Sequence, residues 1–510
     1  MIGKTLSAAL RGIDAFLVEV EADVQLGMPA YRTVGLPETA VKESKERVRG
    51  AILNSGYSYP VEVITINLAP AEMPKEGTQL DLSIAVAMLA STKQIPSKKI
   101  QDYIIVGELS LDGKIRPVRG LLSFAILAKT LRKGLILPEE NSEEGEIVDG
   151  IVAYPFSTLS DLVDFLRDEK EFQSLEHKNY EDILVEPPSD IDFSDVKGQP
   201  YAKRALEVAA AGGHNILLIG PPGSGKSMLA KRFPTILPPM LFEEALETTK
   251  IHSVKGDKRH FQRGMVVLRP FRAPHHTISY AGMIGGGTNI SPGEVSLAHN
   301  GVLFLDELTE FKRDVLESLR QPLEDRTVSI SRAKETLTFP SSFTLLAASN
   351  PCPCGFYGDY QRKCKCTPLQ IKRYLSKISG PLMDRIDIQI EVPSVSPNEL
   401  RGKAKGERSK EIRKRVTKAR ELQKMRFKNV NIHTNAEMNE SLIEKVCTLD
   451  SDCEKFLEDA LRSYGLSARG HHRVLKVSRT IADLEGSEKI KVEHIAEAVN
   501  YRTLDKKLFG

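Results

Sequence analysis

The feature that most constrains this chain is a glycine-rich turn between a short apolar strand and a helix. The strand is NILLIG at 215–220, and GPPGSGKS then leads from Gly220 through Ser227 into the helical segment MLAKRF. Glycines let successive backbone N–H groups converge on phosphate oxygens without clashes from Cβ atoms, and the helix N-terminus adds partial positive charge. Eight matched positions in this context predict a P-loop for a nucleoside triphosphate, with a chance glycine turn as the weaker alternative.

The residues of this turn have separate expected roles. Lys226 should reach the β- and γ-phosphates, and Ser227 should ligate Mg²⁺ through its hydroxyl group. A carboxylate at the end of a second strand, Asp306, is expected on the same ion. The predicted nucleotide-binding set is Gly220, Pro221, Pro222, Gly223, Ser224, Gly225, Lys226, Ser227 and Asp306.

Two further apolar strands end in polar side chains that suit hydrolysis of ATP. GVLFLDEL at 301–308 ends in Asp306 and Glu307, and Glu307 is placed to polarise the attacking water. TLLAASN at 344–350 ends in Asn350, which could orient that water beside the γ-phosphate. A solvated acidic pair and a turn asparagine are the alternative interpretations.

Two arginine-bearing segments are candidates for completing the site. Arg385, in GPLMDRIDIQIEV, would suit a finger that acts in trans on a neighbour's γ-phosphate, which would require an oligomer. An ion pair within the chain, with Asp384 or Asp387, is the alternative. In the amphipathic helix LSARGHHRVLKVSRTIADLEG, Arg469 is the first choice for reaching ATP and Arg473 the second, against a solvated basic face.

Four of the six cysteines form two CxC pairs separated by nine residues, at Cys352, Cys354, Cys364 and Cys366. Two thiolate pairs facing each other across a small loop would give a tetrahedral set of four sulfurs, which suits Zn²⁺. The position directly after Asn350 predicts a structural zinc clip near the ATP site. A reduced thiol cluster is the alternative. The adjacent histidines of the chain are interpreted as non-ligands.

Composition excludes some classes of protein. The chain has no run of eighteen apolar residues, so no transmembrane helix and no membrane partner are predicted. The N-terminus lacks a signal-peptide layout, because charged residues interrupt its short apolar stretches, and a cytoplasmic location is expected. A net charge of +3 is too small to indicate nucleic-acid binding by itself.

The motifs GPPGSGKS, FRAPHHT, GEVSLAHNGVLFLDEL, NPCPCG, GPLMDRID and SARGHHRVLKVSRTIADL occur together in this chain. With VGLPETAVKES and NLAPAEMPKEG near the N-terminus, they resemble the magnesium-chelatase-like AAA+ ATPases of the YifB/ComM type, over almost the whole chain. The resemblance implies a hexameric motor that drives branch migration of DNA during natural transformation, with branched or single-stranded DNA as its partner.

The resemblance and the changes of pattern along the chain imply an α/β fold in four parts. Residues 1–168 would form a Lon-protease-like domain of the ribosomal-S5-domain-2 type, in which VEVITINLA is predicted as a strand and DLSIAVAMLAS as a buried helix. Residues 169–195 would be a polar linker. Residues 196–393 would be the P-loop AAA+ core with the cysteine loop, and residues 394–510 a helical lid.

The Lon-like part departs from the peptidase pattern. Where the serine segment KDGPSAG is expected, the chain reads KEGTQLD at 75–81, and the following helix begins GLLSF at 120–124 without the lysine. Because an activated serine needs both a hydroxyl and a base within reach, this part is predicted to lack peptidase activity. Thr78 and Lys129 are the only candidates for an alternative pair.

Three segments are candidates for contact with DNA. TVSISRAKETLTFP at 327–340 predicts a β-hairpin with a basic tip, similar to the hairpin that AAA+ helicases place in a central channel. AGMIGGG at 281–287 is interpreted as a flexible pore loop, and the run 401–428 is rich in Arg and Lys. An ordinary surface turn and a solvated helix face are the alternatives for the first and third.

Three other functions compete with DNA translocation. A chelatase-type subunit that remodels a protein complex would share the ATPase core, and so would an unfoldase that binds protein segments. A nucleotide-gated scaffold is the third. Intact Lys226, Asp306, Glu307 and Arg385 disfavour the scaffold, because a scaffold need not keep the hydrolytic set.

Overall fold

The computed structural model describes residues 2–186, 190–287, 290–331, 336–395, 406–430, 432–464 and 468–504. Within them the chain forms two compact units that are not continuous in sequence. The first comprises Met1–Val185, Leu241–Val267 and Ser331–Phe339, and the second Glu186–Met240, Leu268–Ile330 and Pro340–Gly510. The segment predicted as the ATPase core therefore also contributes residues to the first unit.

The elements up to residue 186 follow one another in this order: β1 (Ile2–Arg11), β2 (Asp14–Gln25), β3 (Ala30–Val34), α1 (Thr39–Asn54), β4 (Val63–Ala69), α2 (Asp81–Ser91), α3 (Ser97–Ile100), β5 (Tyr103–Ile105), β6 (Glu108–Leu109), β7 (Ile115–Arg116), α4 (Leu121–Leu131), β8 (Gly134–Pro138), α5 (Ser142–Gly145), β9 (Ala153–Phe156), α6 (Leu159–Leu166) and α7 (Tyr180–Ile183).

The remaining elements are α8 (Pro200–Gly212), β10 (Ile216–Ile219), α9 (Lys226–Arg232), α10 (Phe242–Lys255), β11 (Phe271–Arg272), α11 (Tyr280–Ile284), β12 (Gly285–Gly286), β13 (Ser291–Pro292), α12 (Glu294–Leu297), β14 (Val302–Leu305), α13 (Arg313–Ser318), α14 (Arg320–Asp325), β15 (Thr327–Ser331), β16 (Thr336–Pro340), β17 (Thr344–Ser349), α15 (Pro368–Leu375), α16 (Gly380–Met383), β18 (Ile388–Glu391), α17 (Ser409–Arg426), α18 (Glu440–Val446), α19 (Ser451–Tyr464), α20 (Ala468–Glu485) and α21 (Val492–Asn500).

The first unit is built on a mixed seven-stranded sheet in the order β3-β4-β2-β1-β5-β8-β9. Its central strands β1, β2 and β4 are antiparallel, and β5, β8 and β9 run parallel to β1. Helix α2 is buried along its whole length and packs on β1 and β2. The close approach depends on Gly3 of β1, where a Cβ atom would lie 2.0 Å from the carbonyl oxygen of Ala87.

Most of the stretch predicted as a linker packs on this first unit. The ring of Phe172 lies edge-on to that of Phe156 at a centroid distance of 5.0 Å, and the N–H of Leu175 donates to the carbonyl of Ala153. Residues 187–189 of the predicted linker lie outside the described residues. Helix α10, although it falls within 196–393 in sequence, also packs on α4 of the first unit.

The second unit contains a five-stranded sheet in the order β11-β14-β17-β10-β18, with every neighbouring pair parallel. Strands β10, β14 and β17 are buried at every position, as expected for parallel strands covered on both faces. The predicted α/β fold class is confirmed. All five strands place their carboxyl ends at one edge, where open α/β sheets bind ligands.

The described residues after 406 form helices and one 3-10 turn, and no strand is assigned among them. Helices α17 and α20 both pack on α8, which precedes the P-loop strand. Residues 396–405 and 505–510, which belong to the predicted lid, lie outside the described part of the chain. No helix among the described residues combines the length and apolar character needed to cross a bilayer.

A buried ion pair joins α1 to the start of α2 in the first unit. Arg47 donates from Nε to Oδ2 of Asp81 at 2.6 Å and from Nη2 to Oδ1 at 3.0 Å. The carboxylate is 1% exposed, and burial raises the pKa of Asp81 to about 6 although Arg47 opposes the shift. The carboxylate therefore depends on Arg47 for its charged form.

Replacing Arg47 with methionine should destabilise the first unit by about 3–5 kcal/mol, because an uncompensated buried charge remains. Without Arg47 the folded-state pKa of Asp81 should rise further above its wild-type value of about 6, so the variant takes up a proton at higher pH than the wild type does. The loss should therefore shrink as the pH falls toward about 6. Urea unfolding at pH 7 and pH 5 measures both effects. The double variant R47M/D81N should recover much of the loss, and an Arg47→Met protein as stable as wild type at pH 7 would contradict this account.

Candidate functional site

The predicted site residues meet at the carboxyl edge of the parallel sheet. The P-loop follows β10, Asp306 and Glu307 follow β14, and Asn350 follows β17. Because these strands are neighbours in the order β14-β17-β10, their ends place the polar side chains side by side. Strand β18 lies on the other side of β10 and follows Arg385.

The P-loop takes the backbone shape that its glycines allow. Gly223 and Gly225 have φ values of 79° and 92°, in the region that residues with a Cβ atom avoid. Helix α9 begins at Lys226 directly after Gly225. The loop is tied to neighbouring segments by Gln199, whose amide donates to the carbonyls of Pro393 at 2.6 Å and Ser224 at 3.4 Å.

The ammonium group of Lys226 is buried at the centre of the site. It donates to the carbonyl oxygens of Gly220 and Pro221, at 2.7 and 2.9 Å, and to Oδ1 of Asn350 at 3.4 Å. Burial lowers the pKa of Lys226 to about 8, with nearby Asp306 acting in the opposite direction. A cation in such a place is electrostatically suited to an anionic ligand.

Ser227 and Asp306 lie in direct contact. The Ser227 hydroxyl donates to Oδ2 of Asp306 at 2.6 Å, and Oδ1 of Asp306 accepts from the N–H of Glu307 at 3.0 Å. A hydroxyl and a carboxylate beside a phosphate-binding loop form the oxygen set that Mg²⁺ prefers. These residues therefore fit a magnesium ion shared with phosphate groups.

Glu307 sits in a left-handed backbone conformation, with φ of 52°, and its side chain is 57% exposed. Its carboxylate lies 3.4 Å from Nδ1 of His276. It borders a cavity of about 470 Å³ that is also lined by Asn350, Arg373 and Lys377. The sequence interpretation of the histidines did not find this contact; the signal available was that His276 belongs to the motif FRAPHHT.

Arg385 forms an ion pair within the chain, but its partner is neither Asp384 nor Asp387, the two residues considered from the sequence. Its Nη2 donates to the carboxylate of Glu324, its Nη1 donates to the carbonyl of Pro381 at 2.7 Å, and the side chain is 17% exposed. Glu324 lies in α14, far away in sequence, so the spacing around Arg385 carried no signal for this pair.

The two arginines of α20 lie near the residue that precedes Arg385. Nη1 of Arg469 is 3.2 Å from Oδ2 of Asp384, and this arginine is 72% exposed. Arg473 is 12% exposed and lies 3.8 Å from Asp384 and 3.7 Å from Asp387. The hydrogen bond of Arg469 is thus made to Asp384 and not to a P-loop residue.

Asp387 belongs to a buried polar chain that joins the sheet to α20. His214 is 3.2 Å from Asp387 through Nδ1 and 2.8 Å from Thr480 through Nε2. Although burial opposes ionisation, the contact with His214 and the nearby Arg473 hold the pKa of Asp387 below its usual range. These polar contacts fix α20 against β18, the strand that follows Arg385.

The sulfur atoms of Cys352, Cys354, Cys364 and Cys366 all lie within 4.8 Å of one another. Three of the S–S distances are 3.4, 3.6 and 3.7 Å. Four sulfurs around Zn²⁺ at about 2.3 Å would be separated by about 3.8 Å in a tetrahedron, so the cluster fits that ion. Backbone N–H groups of Lys365 and Phe356 lower the pKa of Cys354 to about 6, whereas burial raises the pKa of Cys352 to about 12. Cys354 is thus the thiol already disposed to the thiolate form that a metal requires.

The segments proposed to contact DNA have mixed outcomes. Strands β15 and β16 flank the predicted hairpin tip, but residues 332–335, including Arg332 and Lys334, lie outside the described residues. The prediction of a flexible loop at 281–287 was wrong for its local structure. This segment contains most of α11 and the strand β12, which pairs with β13.

Several basic residues of the run 401–428 are used inside the chain. Arg415 pairs with Glu207 and Glu407, Arg420 donates to the carbonyl of Ala210, and Arg426 pairs with Asp483. Residues 401–405 of this run lie outside the described part. These arginines stabilise the packing of α17, so they are poorly placed to form a DNA-binding face.

In the first unit, the positions compared with the Lon peptidase pattern have other contacts. The hydroxyl of Thr78 donates to the carboxylate of Glu108, and the amide of Gln79, which stands near the serine position, donates to the carbonyl of Glu76 at 2.7 Å. Lys129 lies in α4, where its Cε is 3.9 Å from the position that a Cβ at Gly150 would occupy.

Three family models match successive parts of the chain. Those described as "Subunit ChlI of Mg-chelatase", "Magnesium chelatase, subunit ChlI" and "Magnesium chelatase, subunit ChlI C-terminal" match residues 20–141, 192–400 and 406–502. The three matches together account for most of the sequence.

Relatives match over nearly the whole length. Competence protein ComM of Haemophilus influenzae is 43% identical over 501 residues, covering 98% of this chain and 97% of its own. YifB of Salmonella typhimurium is 45% identical over 505 residues, with the same coverage. Lon protease of Trichlorobacter lovleyi is 24% identical over 153 residues, which are 28% of this chain and 18% of the protease.

The geometry of the cysteine cluster predicts about one zinc ion per chain. Elemental analysis of the purified protein should find it, and Cys364→Ser should lower the content substantially because one of the four thiolates is lost. Cys453→Ala is the matched control, since Cys453 is buried elsewhere in the unit. A folded wild-type protein that is isolated without metal and binds none when zinc is added would refute the zinc clip.

Proposed function

The chain belongs to the ComM/YifB family of magnesium-chelatase-like proteins, and from that premise we propose that it is an ATP-hydrolysing AAA+ motor that moves DNA strands. The observation that carries the ATPase part is the meeting of Lys226, the Ser227–Asp306 pair and Asn350 at one sheet edge. This meeting supports the proposed roles of a phosphate-binding cation, a magnesium ligand pair and a polar side chain for the lytic water.

Hydrolysis uses these side chains in separate roles. The P-loop N–H groups and Lys226 bind the phosphates. Ser227 and Asp306 would hold Mg²⁺, which would supply positive charge to neutralise the phosphates. Glu307 polarises the attacking water, and Asn350 orients it. His276, 3.4 Å from Glu307, positions that carboxylate at the rim of the cavity.

Arg385 is proposed to complete the site of a neighbouring subunit. Such arginines contribute roughly 10³–10⁵ in rate where they have been characterised. In the single chain the guanidinium is paired with Glu324, and in the oligomer it exchanges that carboxylate for the γ-phosphate of the neighbour. This arrangement requires a ring, for which we propose six subunits.

The helices after 406 are proposed to form a lid over the nucleotide. Arg469 is the lid residue proposed to reach ATP, and its exposure of 72% leaves the side chain able to change partner from Asp384 to a phosphate. The buried contacts of His214 with Asp387 and Thr480 anchor α20 to the sheet.

DNA is proposed as the substrate because ComM, a competence protein by name, is 43% identical to this chain over nearly its full length. The hairpin flanked by β15 and β16 is proposed to enter a central channel and push on a strand. The first unit is proposed to be a docking module without peptidase activity, because Gln79 stands near the expected serine position. A protein-remodelling motor is the alternative, and the DNA experiment below separates the two.

Subunit mixing should reveal the finger in trans. Glu307→Gln should bind ATP but lose roughly 10²–10⁴ in turnover, because the water is no longer activated. Arg385→Ala should lose roughly 10³ or more. Mixed together, the two variants should regain ATPase activity, since a Glu307→Gln subunit supplies its arginine to the intact site of an Arg385→Ala neighbour.

Lys226→Ala is the control for the mixture. Its subunits cannot bind nucleotide but still carry Arg385, so they should also restore ATPase activity when mixed with Arg385→Ala subunits. Glu324→Gln, which removes only the intrachain partner, should retain activity. If the mixtures stay as inactive as their components in a verified oligomer, Arg385 does not act across the interface.

DNA should stimulate the ATPase, and the wild-type protein should move the branch point of a synthetic four-way junction. Strand products on native gels, with ATP and with the Glu307→Gln variant as the inactive control, measure the movement. Removal of the hairpin tip at 332–335 should abolish movement while leaving the basal ATPase. ATP hydrolysis in a verified oligomer without DNA stimulation or strand movement would favour a protein substrate instead.

A further inference from the structure

The cysteine loop, residues 352–366, carries the thiol cluster and also borders the nucleotide site. A second cavity, of about 380 Å³, adjoins the P-loop at Gly223–Gly225 and Met228. Its opposite side is formed by residues 195–199, just before α8. A third wall comes from the segment between the two cysteine pairs, through Phe356, Asp359, Gln361 and Arg362, and Ser394 and Val395 complete the lining.

The loop touches the P-loop at a point where only glycine fits. Gly355 has φ of 84°, and a Cβ atom there would lie 2.5 Å from Cδ of Pro222 and 2.8 Å from its Cγ. The backbone of the cysteine loop is therefore packed directly on the second proline of GPPGSGKS. This contact places the cysteine loop beside the P-loop.

The cavity is where the nucleoside of a bound nucleotide must lie. The P-loop N–H groups hold the phosphates, and the sugar and base extend from the α-phosphate, away from the γ-phosphate end at which Glu307 and Asn350 stand. Glu307 and Asn350 border a different cavity from the one that Met228 and Phe356 share. Because the shared cavity adjoins the P-loop at Gly223–Gly225, it has the position expected for the nucleoside.

Phe356 has the surroundings of a base-stacking side chain. Its ring is partly buried and lines the cavity, and the guanidinium of Arg362 lies 5.1 Å from the ring centroid. The guanidinium lies over one face of the ring in a cation–π contact, and both side chains line the cavity, so a planar ligand there would meet an aromatic ring and a cation together. The backbone N–H of Phe356 donates to the sulfur of Cys354, so the backbone of this residue is tied to the thiol cluster.

We propose that the four-cysteine loop is a wall of the nucleoside pocket, in which Phe356 stacks on the base of bound ATP or ADP, and that metal binding by the cysteines sets nucleotide affinity. The inference rests on the proposed ATPase function. Metal at the four sulfurs fixes Cys354, and with it Phe356, against the P-loop. Loss of the metal releases the stacking side chain while leaving the phosphate-binding backbone in place.

Binding measurements on the full-length protein test this, with two ligands that differ in having a base. Fluorescent ADP and inorganic tripolyphosphate are titrated, both with Mg²⁺ present. Phe356→Ala should weaken ADP binding roughly tenfold, the effect of losing one stacked base, and leave tripolyphosphate binding unchanged. Zinc-stripped wild type and Cys354→Ser should show the same pattern, and re-addition of zinc to the stripped protein should restore ADP affinity.

Tyr357→Ala is the matched control, because this neighbouring aromatic residue lines neither of the two cavities described; it should bind both ligands as wild type does. Unchanged tripolyphosphate binding also shows that each variant keeps its P-loop folded. Wild-type ADP affinity in Phe356→Ala or in the stripped protein would overturn the inference, and so would an equal loss for both ligands. A wild-type protein that binds neither ligand would contradict the proposed function itself, and this inference with it.

Discussion

The ammonium group of Lys226 is the interaction on which the rest of the site depends. It is removed from solvent, coordinated by the carbonyl oxygens of Gly220 and Pro221 and by Asn350, and lies close to Asp306. A buried cation of this kind is costly unless anionic charge accompanies it, and a triphosphate with Mg²⁺ supplies that charge. The parallel sheet makes the arrangement possible, because the ends of β10, β14 and β17 meet at one edge.

The parts of the structure that depend on local sequence pattern could be predicted from the sequence. The strand predicted at 61–69 is β4 from Val63, and the buried helix predicted at 81–91 is α2 with the same bounds. The three apolar runs of the ATPase half are β10, β14 and β17. The four cysteines could be grouped from spacing alone, because two short CxC pairs on one small loop leave few other arrangements.

Contacts between segments that are far apart in sequence could not be predicted, because neither spacing nor periodicity carries information about them. Examples are the pairing of Arg385 with Glu324, the approach of His276 to Glu307, and the contact of Gly355 with Pro222. The same limit affected the unit boundaries: α10 follows the P-loop in sequence yet packs in the first unit. The basic run at 401–428 looked like one surface only because its acidic partners, such as Glu207, lie far away in sequence.

The pairing of Arg385 with Glu324 has a consequence for how subunits would come together. An arginine without a partner at each interface would repel the same residue of other subunits and would carry its full hydration shell into the contact. Here the guanidinium is already neutralised and largely dehydrated before assembly. In the proposed ring, assembly would exchange one oxygen anion for another, so the ionic strength of the medium should have little influence on this part of the association free energy.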